Sequence, residues 1–201
     1  AQSPGVVVDI SRLQDLKGIE VTDAGLRIGA GVTHTEIMAH PLIKEHAPAM
    51  IDAAHTVGAV QTRNLGTLGG NLVTCVPSMD SGPTLLALDA QVTILGPSGS
   101  RQMPLSEFFV FVRKTALEPD ELLLEITIPK ENLGKPAGFI KFGLRKGQAL
   151  ALVNAASSFK IENCKFKDVR IALGAVAPVV IRAVKAEAVL EGQAVSEALI
   201  D

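Results

Sequence analysis

A glycine-rich segment between Thr62 and Asp80 constrains this sequence more than any other stretch. Gly66, Gly69 and Gly70 fall within five consecutive residues. Because glycine has no Cβ atom, a backbone rich in it can approach a ligand closely and turn its amide groups toward it. The segment is therefore either a loop that holds phosphates or a glycine-rich turn between two elements. Its spacing alone leaves both interpretations open.

The two common nucleotide-binding motifs do not fit this segment. No Lys-Ser or Lys-Thr pair follows Gly70, as a Walker loop requires, and the spacing differs from the Gly-x-Gly-x-x-Gly fingerprint. Two polar residues nearby also have two interpretations each. Asp80 either contacts a ligand or caps the helix that follows it. Arg63 either holds a phosphate or forms a surface ion pair.

Composition excludes several classes of function. Apolar residues make up 47% of the 201 residues and charged residues 20%, which is typical of a folded globular protein. The net charge is −2 and no basic run occurs, so we expect no nucleic-acid surface. Cys75 and Cys164 lack the paired spacing that a zinc site or an iron–sulfur cluster needs. No apolar run is long enough for insertion into a membrane.

No arrangement of nucleophile, base and acid can be drawn from the sequence. The four histidines show no ligand spacing, and we expect surface or packing roles for them. This pattern suits a cofactor site, where the protein supplies binding and electrostatics and the cofactor supplies the chemistry. Free thiols fit a reducing compartment, so we expect a cytoplasmic protein.

The hydrophobic pattern predicts an α+β fold with two units. A polar stretch over 130–136 is the expected linker, which gives domains over residues 1–129 and 136–201. Strands are predicted at Val6–Ile10, Leu26–Ile28, Val92–Leu95, Arg101–Pro104, Glu121–Pro129, Gly138–Leu144 and Val169–Gly174. The run Leu152–Ile161 is strand-like too, but its Ala and Val content leaves a helix possible as the alternative. Helices are predicted after the capping box Thr33–Glu36, over Pro48–Val57, over Thr84–Ala90 with Pro83 at the first position, over Leu105–Phe109 and over Ile181–Leu190.

The order of residues from Gln61 to Asp80, Q-T-R-N-L-G-T-L-G-G-N followed by an acid nine residues on, resembles a known family. It is similar to the FAD-binding medium subunits of the molybdenum hydroxylases, which include xanthine dehydrogenase and carbon monoxide dehydrogenase. Further similar blocks occur at Leu26–Thr33, Pro119–Pro129 and Phe139–Arg145. The resemblance implies a PCMH-type FAD-binding domain followed by a small C-terminal domain of antiparallel sheet plus helix.

The resemblance also implies which residues hold the cofactor, FAD. Thr67, Leu68, Gly69, Gly70 and Asn71 correspond to the second FAD-binding loop of the family. Asp80 corresponds to an acid placed against the flavin and ribityl part, Leu123 to a position bordering the isoalloxazine ring, and Lys141 to a cation that reaches the flavin from the C-terminal domain. The family places an aromatic residue beside the ring in some members where this sequence has Val57.

The implied function is electron transfer within an oxidoreductase complex. Electrons would pass from [2Fe–2S] clusters of an iron–sulfur small subunit, which receives them from a molybdopterin large subunit, through FAD to NAD or another acceptor. The family also carries an earlier glycine loop that does not occur in these 201 residues. We therefore expect a fragment or a truncated product that lacks the N-terminal segment. The alternative function is an FAD-free module for assembly and docking.

Overall fold

The computed structural model of the protein describes residues 4–200. The described strands are β1 (Ile19–Val21), β2 (Gly25–Gly29), β3 (Gln91–Gly96), β4 (Gly99–Pro104), β5 (Phe109–Phe111), β6 (Lys114–Thr115), β7 (Leu122–Pro129), β8 (Ala137–Gly143), β9 (Ala151–Glu162), β10 (Lys165–Gly174) and β11 (Ile181–Arg182). The helices are α1 (His34–Ala39), α2 (Pro41–His46), α3 (Ala49–Thr56), α4 (Val60–Leu65), α5 (Leu68–Thr74), α6 (Ser81–Ala87), α7 (Leu105–Phe108), α8 (Val184–Leu190) and α9 (Glu197–Ile200), with 3₁₀ turns at Gln14–Leu16 and Lys130–Asn132.

The first sheet has five antiparallel strands in the order β1-β2-β7-β3-β4. Its inner face is aliphatic. Leu26 lies opposite Ile128, and Ile28 and Val92 both lie opposite Ile126. All five side chains are fully buried. The alternation of buried and wetter positions along β7 explains why its sequence pattern predicts a strand with one solvated face.

The helices α1 to α6 lie between β2 and β3 in the chain, and local signals set several of their ends. Thr33 and Glu36 form the predicted capping box, because each side chain accepts a hydrogen bond from the other residue's amide. Pro41, which cannot continue α1, instead begins α2 at its first position. The predicted helix over Pro48–Val57 is confirmed as α3, with Met50 and Ala54 fully buried on one face.

The second sheet has four antiparallel strands in the order β11-β10-β9-β8, with α8 following β11 in the chain. Phe139, Ala156 and Ala172 point from β8, β9 and β10 into the core that the first sheet and its helices also share. The helix α8 is joined to the sheet by Glu187, whose carboxylate accepts hydrogen bonds from the Arg182 guanidinium and the Ile171 amide. The α+β prediction, with a sheet-plus-helix unit at the C-terminal end, is confirmed.

Three local predictions are wrong. Val6–Ile10 forms no strand: Val6 and Val7 are each 80% exposed, and no strand among residues 4–200 pairs with the run. Helix α6 begins at Ser81, so Pro83 is its third residue. The helix predicted over Ile181–Leu190 begins only at Val184, because Ile181 and Arg182 form β11. The expected linker at 130–136 is packed against neighbouring residues. Asn132 is fully buried and donates to the Leu88 carbonyl, and Lys135 pairs with Asp168 at 2.8 Å.

Candidate functional site

The glycine segment is a tight turn between α4 and α5. The Thr67 hydroxyl caps α5 by accepting a hydrogen bond from the Gly70 amide at 3.0 Å. The amides of Leu68 and Gly69 donate to the carbonyls of Val32 and Ala30, at 2.9 and 2.8 Å. These amides thus have protein partners, so locally the segment is the glycine-rich turn that the sequence allowed as an alternative to a phosphate loop.

Gly69 and Gly70 nevertheless contribute to a site, because both line a cavity. A Cβ atom at Gly69 would lie 2.6 Å from the Cβ of Ala30, so only glycine lets α5 approach the end of β2 this closely. Gly70 is exposed on the first turn of α5, and a Cβ atom there would meet only the Thr67 hydroxyl, at 3.1 Å. Gly69 is therefore a packing residue, whereas Gly70 gives the cavity lining an exposed surface without a side chain.

The first cavity, as we call this space, has a volume of about 760 Å³. One wall is the turn at Thr67, and the opposite apolar walls come from Leu123 on β7 and from the exposed run before Ser11. Its lining residues are Val7, Val8, Asp9, Ile10, Ser11, Leu16, Lys17, Ala30, Gly31, Thr33, Asn64, Leu65, Thr67, Gly69, Gly70, Val73, Leu117, Glu121, Leu122 and Leu123.

The first cavity has three charged lining residues, Asp9, Lys17 and Glu121. The Lys17 ammonium donates to the Gly31 carbonyl at 2.7 Å. Glu121 pairs with Arg101 at 2.7 Å, and this guanidinium lowers the pKa of Glu121 to about 2. A mostly aliphatic cavity of this size lies within the usual range for sites that bind cofactors and other small molecules. Its apolar walls and bare glycine backbone fit a flat ring system joined to a polar chain.

Asp80 and Lys141 form a buried ion pair beside the glycine segment. Lys141, on β8, donates to one carboxylate oxygen of Asp80 at 2.6 Å and to the Thr56 carbonyl at 3.2 Å. Asp80 stands just before α6, but its side chain makes no capping hydrogen bond. The capping interpretation of Asp80 is therefore wrong. Burial raises the pKa of Asp80, and the hydrogen bonds and charge of Lys141 oppose that rise.

Asn154 also contacts this ion pair, although the sequence did not indicate it as a site residue. Its side chain is 1% exposed and donates to the second carboxylate oxygen of Asp80 at 3.0 Å. One signal could have revealed it. Asn154 occupies an inward position of a strand whose other inward positions include Ala151 and Ala156, so a polar residue there requires a buried partner.

The second cavity is also about 760 Å³ but is lined by cations. Arg63, Lys141, Arg145 and Lys146 contribute to it, and the lining contains no Asp or Glu. Arg63 donates to the carbonyls of His55 and Val57, at 3.1 and 3.0 Å, and so is bound to backbone rather than to a surface carboxylate. The full lining is His55, Thr56, Gly58, Ala59, Val60, Gln61, Arg63, Lys141, Phe142, Gly143, Leu144, Arg145, Lys146, Gly147, Gln148 and Ala149.

The structure thus divides the eight predicted cofactor residues. Four of them line the first cavity, namely Thr67, Gly69, Gly70 and Leu123. Lys141 lines the second cavity and is joined to Asp80. Leu68 is fully buried in the core, and the Asn71 amide oxygen accepts from the Ser81 amide at 3.4 Å, which ties α5 to the start of α6.

The buried histidine has a packing role, as the sequence predicts. His34 is 1% exposed, and burial together with the charge of Arg63 lowers its pKa to about 4, so it is neutral at pH 7. Residues 4–200 bring together no group of three or more His, Cys, Asp or Glu that could hold a metal ion. In the same range, no helix combines the length and the hydropathy needed to cross a bilayer.

Two known families match parts of this chain. Residues 1–131 match the family described as the FAD binding domain in molybdopterin dehydrogenase. The chain belongs to this flavoprotein family. Residues 139–201 match a second family, described as the CO dehydrogenase flavoprotein C-terminal domain. The expected cofactor, FAD, is the one that the first of these descriptions names.

Individual family members are similar over most of the chain. The nicotinate dehydrogenase FAD-subunit of Eubacterium barkeri is 38% identical over 165 residues, covering 81% of this chain and 56% of that protein. A putative xanthine dehydrogenase FAD-binding subunit of Escherichia coli K12 is 34% identical over 185 residues, covering 90% and 63%. The solved carbon monoxide dehydrogenase of Hydrogenophaga pseudoflava superposes with a TM-score of 0.91 at 30% identity, covering 96% of this chain and 67% of that one.

These relatives are subunits of oxidoreductases, and the chain spans about three fifths of the length of the curated relatives it matches. Quinoline 2-oxidoreductase from Pseudomonas putida 86 is also similar in structure to this chain, with a TM-score of 0.90 at 28% identity. The family resemblance that begins with Gln61–Asp80 is therefore confirmed for the chain as a whole.

Proposed function

We propose that this chain binds FAD and transfers electrons as the medium subunit of a molybdenum hydroxylase. The observation that supports this most is the position of the first cavity. It lies against the glycine turn, within the residues that match the FAD-binding family, and its lining fits a flat ring and a polar chain. FAD, when bound, accepts electron pairs and passes them on, and the protein binds and orients it.

Most of the predicted site residues then have a physical role. Thr67 contributes a hydroxyl to the lining of the first cavity, Gly70 a surface without a side chain, and Leu123 an apolar surface that excludes water from the ring. We further propose that bound FAD extends to the Lys141 ammonium, which lines the second cavity and would stabilise negative charge on the reduced cofactor, with Asp80 holding that ammonium in place. In this proposal Gly69 and Leu68 act through packing.

The second cavity supports an anionic electron acceptor. Its lining carries four cations and no acid, so a nicotinamide dinucleotide, with its diphosphate, would be attracted to it.

The electron donors are proposed by analogy with the relatives. An iron–sulfur small subunit and a molybdopterin large subunit would deliver the electrons to FAD. We also propose the domain bounds 1–129 and 136–201, the first for cofactor binding and the second for the sheet that carries Lys141.

The test is the flavin content of the purified protein. Reconstitution with FAD, removal of the excess, and denaturing release should yield about one FAD per chain, and FMN should bind more weakly because it lacks the adenylate half. A folded protein that retains no FAD would contradict the proposal and favour the FAD-free docking module. Circular dichroism on the same sample shows whether the protein is folded.

A further inference from the structure

Three residues lie side by side across the second sheet. Lys141 on β8 is directly opposite Asn154 on β9, and Asn154 is directly opposite Gly174 on β10. Because opposite residues in an antiparallel sheet project to the same face, this row faces α6 and the residue that precedes it, Asp80. The row therefore brings two donors to one carboxylate.

The two donors bind different oxygens of Asp80. Lys141 donates to Oδ2 at 2.6 Å, and the Asn154 amide nitrogen donates to Oδ1 at 3.0 Å. The same amide nitrogen donates to the Met79 carbonyl, also at 3.0 Å. Both neighbours are acceptors, so the amide nitrogen and not its oxygen must face them. Asn154 thus fixes the carboxylate and the backbone just before it.

Gly174 makes the space that this amide needs. A Cβ atom at Gly174 would overlap the Oδ1 atom of Asn154. Its φ angle is not in the left-handed region, so backbone conformation does not explain the glycine there. The close approach of the Asn154 amide does explain it, and the two positions therefore act as a unit.

We propose that Asn154 is a positioning residue for the cofactor site, holding the Asp80 carboxylate against the Lys141 ammonium, with Gly174 as the glycine that admits its amide. The inference rests on the proposed function for its effect on FAD. Without Asn154, one oxygen of a buried carboxylate loses its donor, and the carboxylate is free to turn away from Lys141. The charge that Lys141 presents to the cofactor is then no longer fixed in direction.

The decisive variant is Asn154→Leu, which keeps a similar volume and removes the donor. The ¹³C shift of the Asp80 carboxyl, followed against pH without FAD, gives the pKa of this group directly. We expect a rise of about one unit, a tenfold change in proton affinity, because a hydrogen bond to the ionised form is lost. With FAD, we expect binding to weaken by about tenfold.

A matched control lies on the same strand. Ser158 projects from the same face of β9, is fully buried, and donates to the Ala87 carbonyl at 2.6 Å without touching Asp80. Ser158→Ala should lower stability and leave both the pKa of Asp80 and the affinity for FAD unchanged. In Gly174→Ala, the added methyl group on β10 displaces the Asn154 amide, so we expect the same changes in pKa and affinity as in Asn154→Leu. This second variant replaces Asn154→Leu in the test if that protein does not fold.

The outcomes separate the two proposals. An unmoved pKa of Asp80 in both Asn154→Leu and Gly174→Ala overturns the inference, and so does a moved pKa with unchanged affinity for FAD. A wild-type protein that binds no FAD overturns the proposed function instead. The carboxyl titration still decides whether Asn154 holds Asp80, because that measurement needs no cofactor.

Discussion

The two cavities of this molecule have the same volume, about 760 Å³, and opposite character. The first is mostly aliphatic and has three charged lining residues, of which Glu121 is paired with Arg101. The second is lined by four cations and no acid. The difference shows that size alone does not identify a cofactor site. Desolvation favours an uncharged ring in the first cavity, whereas Coulomb attraction favours an anion in the second.

Lys141 lines the second cavity and pairs with Asp80, which lies beside the glycine segment but lines neither cavity. Removing it should have the largest effect on the fold. Lys141→Met leaves a buried carboxylate without its cation, which costs about 3–5 kcal/mol of unfolding free energy. Urea denaturation at pH 7 measures this loss. The double variant Asp80→Asn with Lys141→Met should recover most of it, because no buried charge remains.

The same variant has a predictable pH dependence. The pKa of Asp80 is already raised by burial and rises further without Lys141, so the ionised form is the costly one. The cost is fully present above the folded-state pKa and disappears below the ordinary value for Asp, roughly 3.9. The stability gap between Lys141→Met and wild type should therefore narrow as pH falls from 7 toward 4. A gap that stays constant would show that Lys141 stabilises the fold by packing and not by its charge.

Gly70→Asp tests whether the first cavity holds the cofactor. The substitution places a carboxylate on the exposed first turn of α5, in the lining of the cavity, where it would repel a diphosphate and fill open space. We expect affinity for FAD to fall by at least about 100-fold, or roughly 3 kcal/mol. Gly138→Asp, at an open position outside the lining of both cavities, is the matched control for the added charge. Equal loss in both variants would contradict the assignment.

Gly69→Ala tests whether Gly69 is needed for the packing of α5 rather than for contact with the cofactor. Its Cβ atom would lie 2.6 Å from that of Ala30, so α5 must shift, at a cost of about 1–3 kcal/mol in stability. Thermal unfolding measures the loss. Adding Ala30→Gly should restore part of it, because the clashing atom is then removed. A Gly69→Ala protein as stable as wild type would show that this contact is not tight.

The smallest expected effect concerns the second cavity. Replacing Arg145 and Lys146 together by Gln should weaken NAD⁺ binding by several-fold, at about 1 kcal/mol or less for each exposed cation. The effect should shrink at high salt, since screening reduces exposed charges most. Lys165→Gln combined with Lys185→Gln, at two exposed positions outside both cavities, controls for the same change in net charge. Weaker binding in that control to the same extent would argue against a specific anion site.

The sequence predicted most elements because their signals are local. The capping box at Thr33 specifies where α1 begins, and the turn Gly96–Gly99 closes the predicted hairpin of β3 and β4. The strand predicted at Val6–Ile10 is wrong because a strand needs a hydrogen-bonded neighbouring strand. The apolar pattern of the run does not show whether such a neighbour exists. Val7 and Val8 of this run instead line the first cavity.

The candidate site was predictable only in part. The resemblance indicated Asp80 and Lys141, but not that they pair with each other, since 61 positions separate them in sequence. Asn154 was missed for the same reason, because its partner lies on a distant helix start. The roles of Gly69 and Gly70 also differ in a way that composition cannot show. One faces Ala30 and the other faces open space, which only the packing of α5 against β2 decides.

We propose that FAD lies in the first cavity and reaches Lys141. Amide resonances of ¹⁵N-labelled protein, followed as FAD is added, are the direct test. We expect the largest shifts at Thr67, Gly70 and Leu123, with a further shift at Lys141, and little change at Arg145 until NAD⁺ is added. Shifts confined to the lining of the second cavity, or no saturable shifts at all, would contradict it.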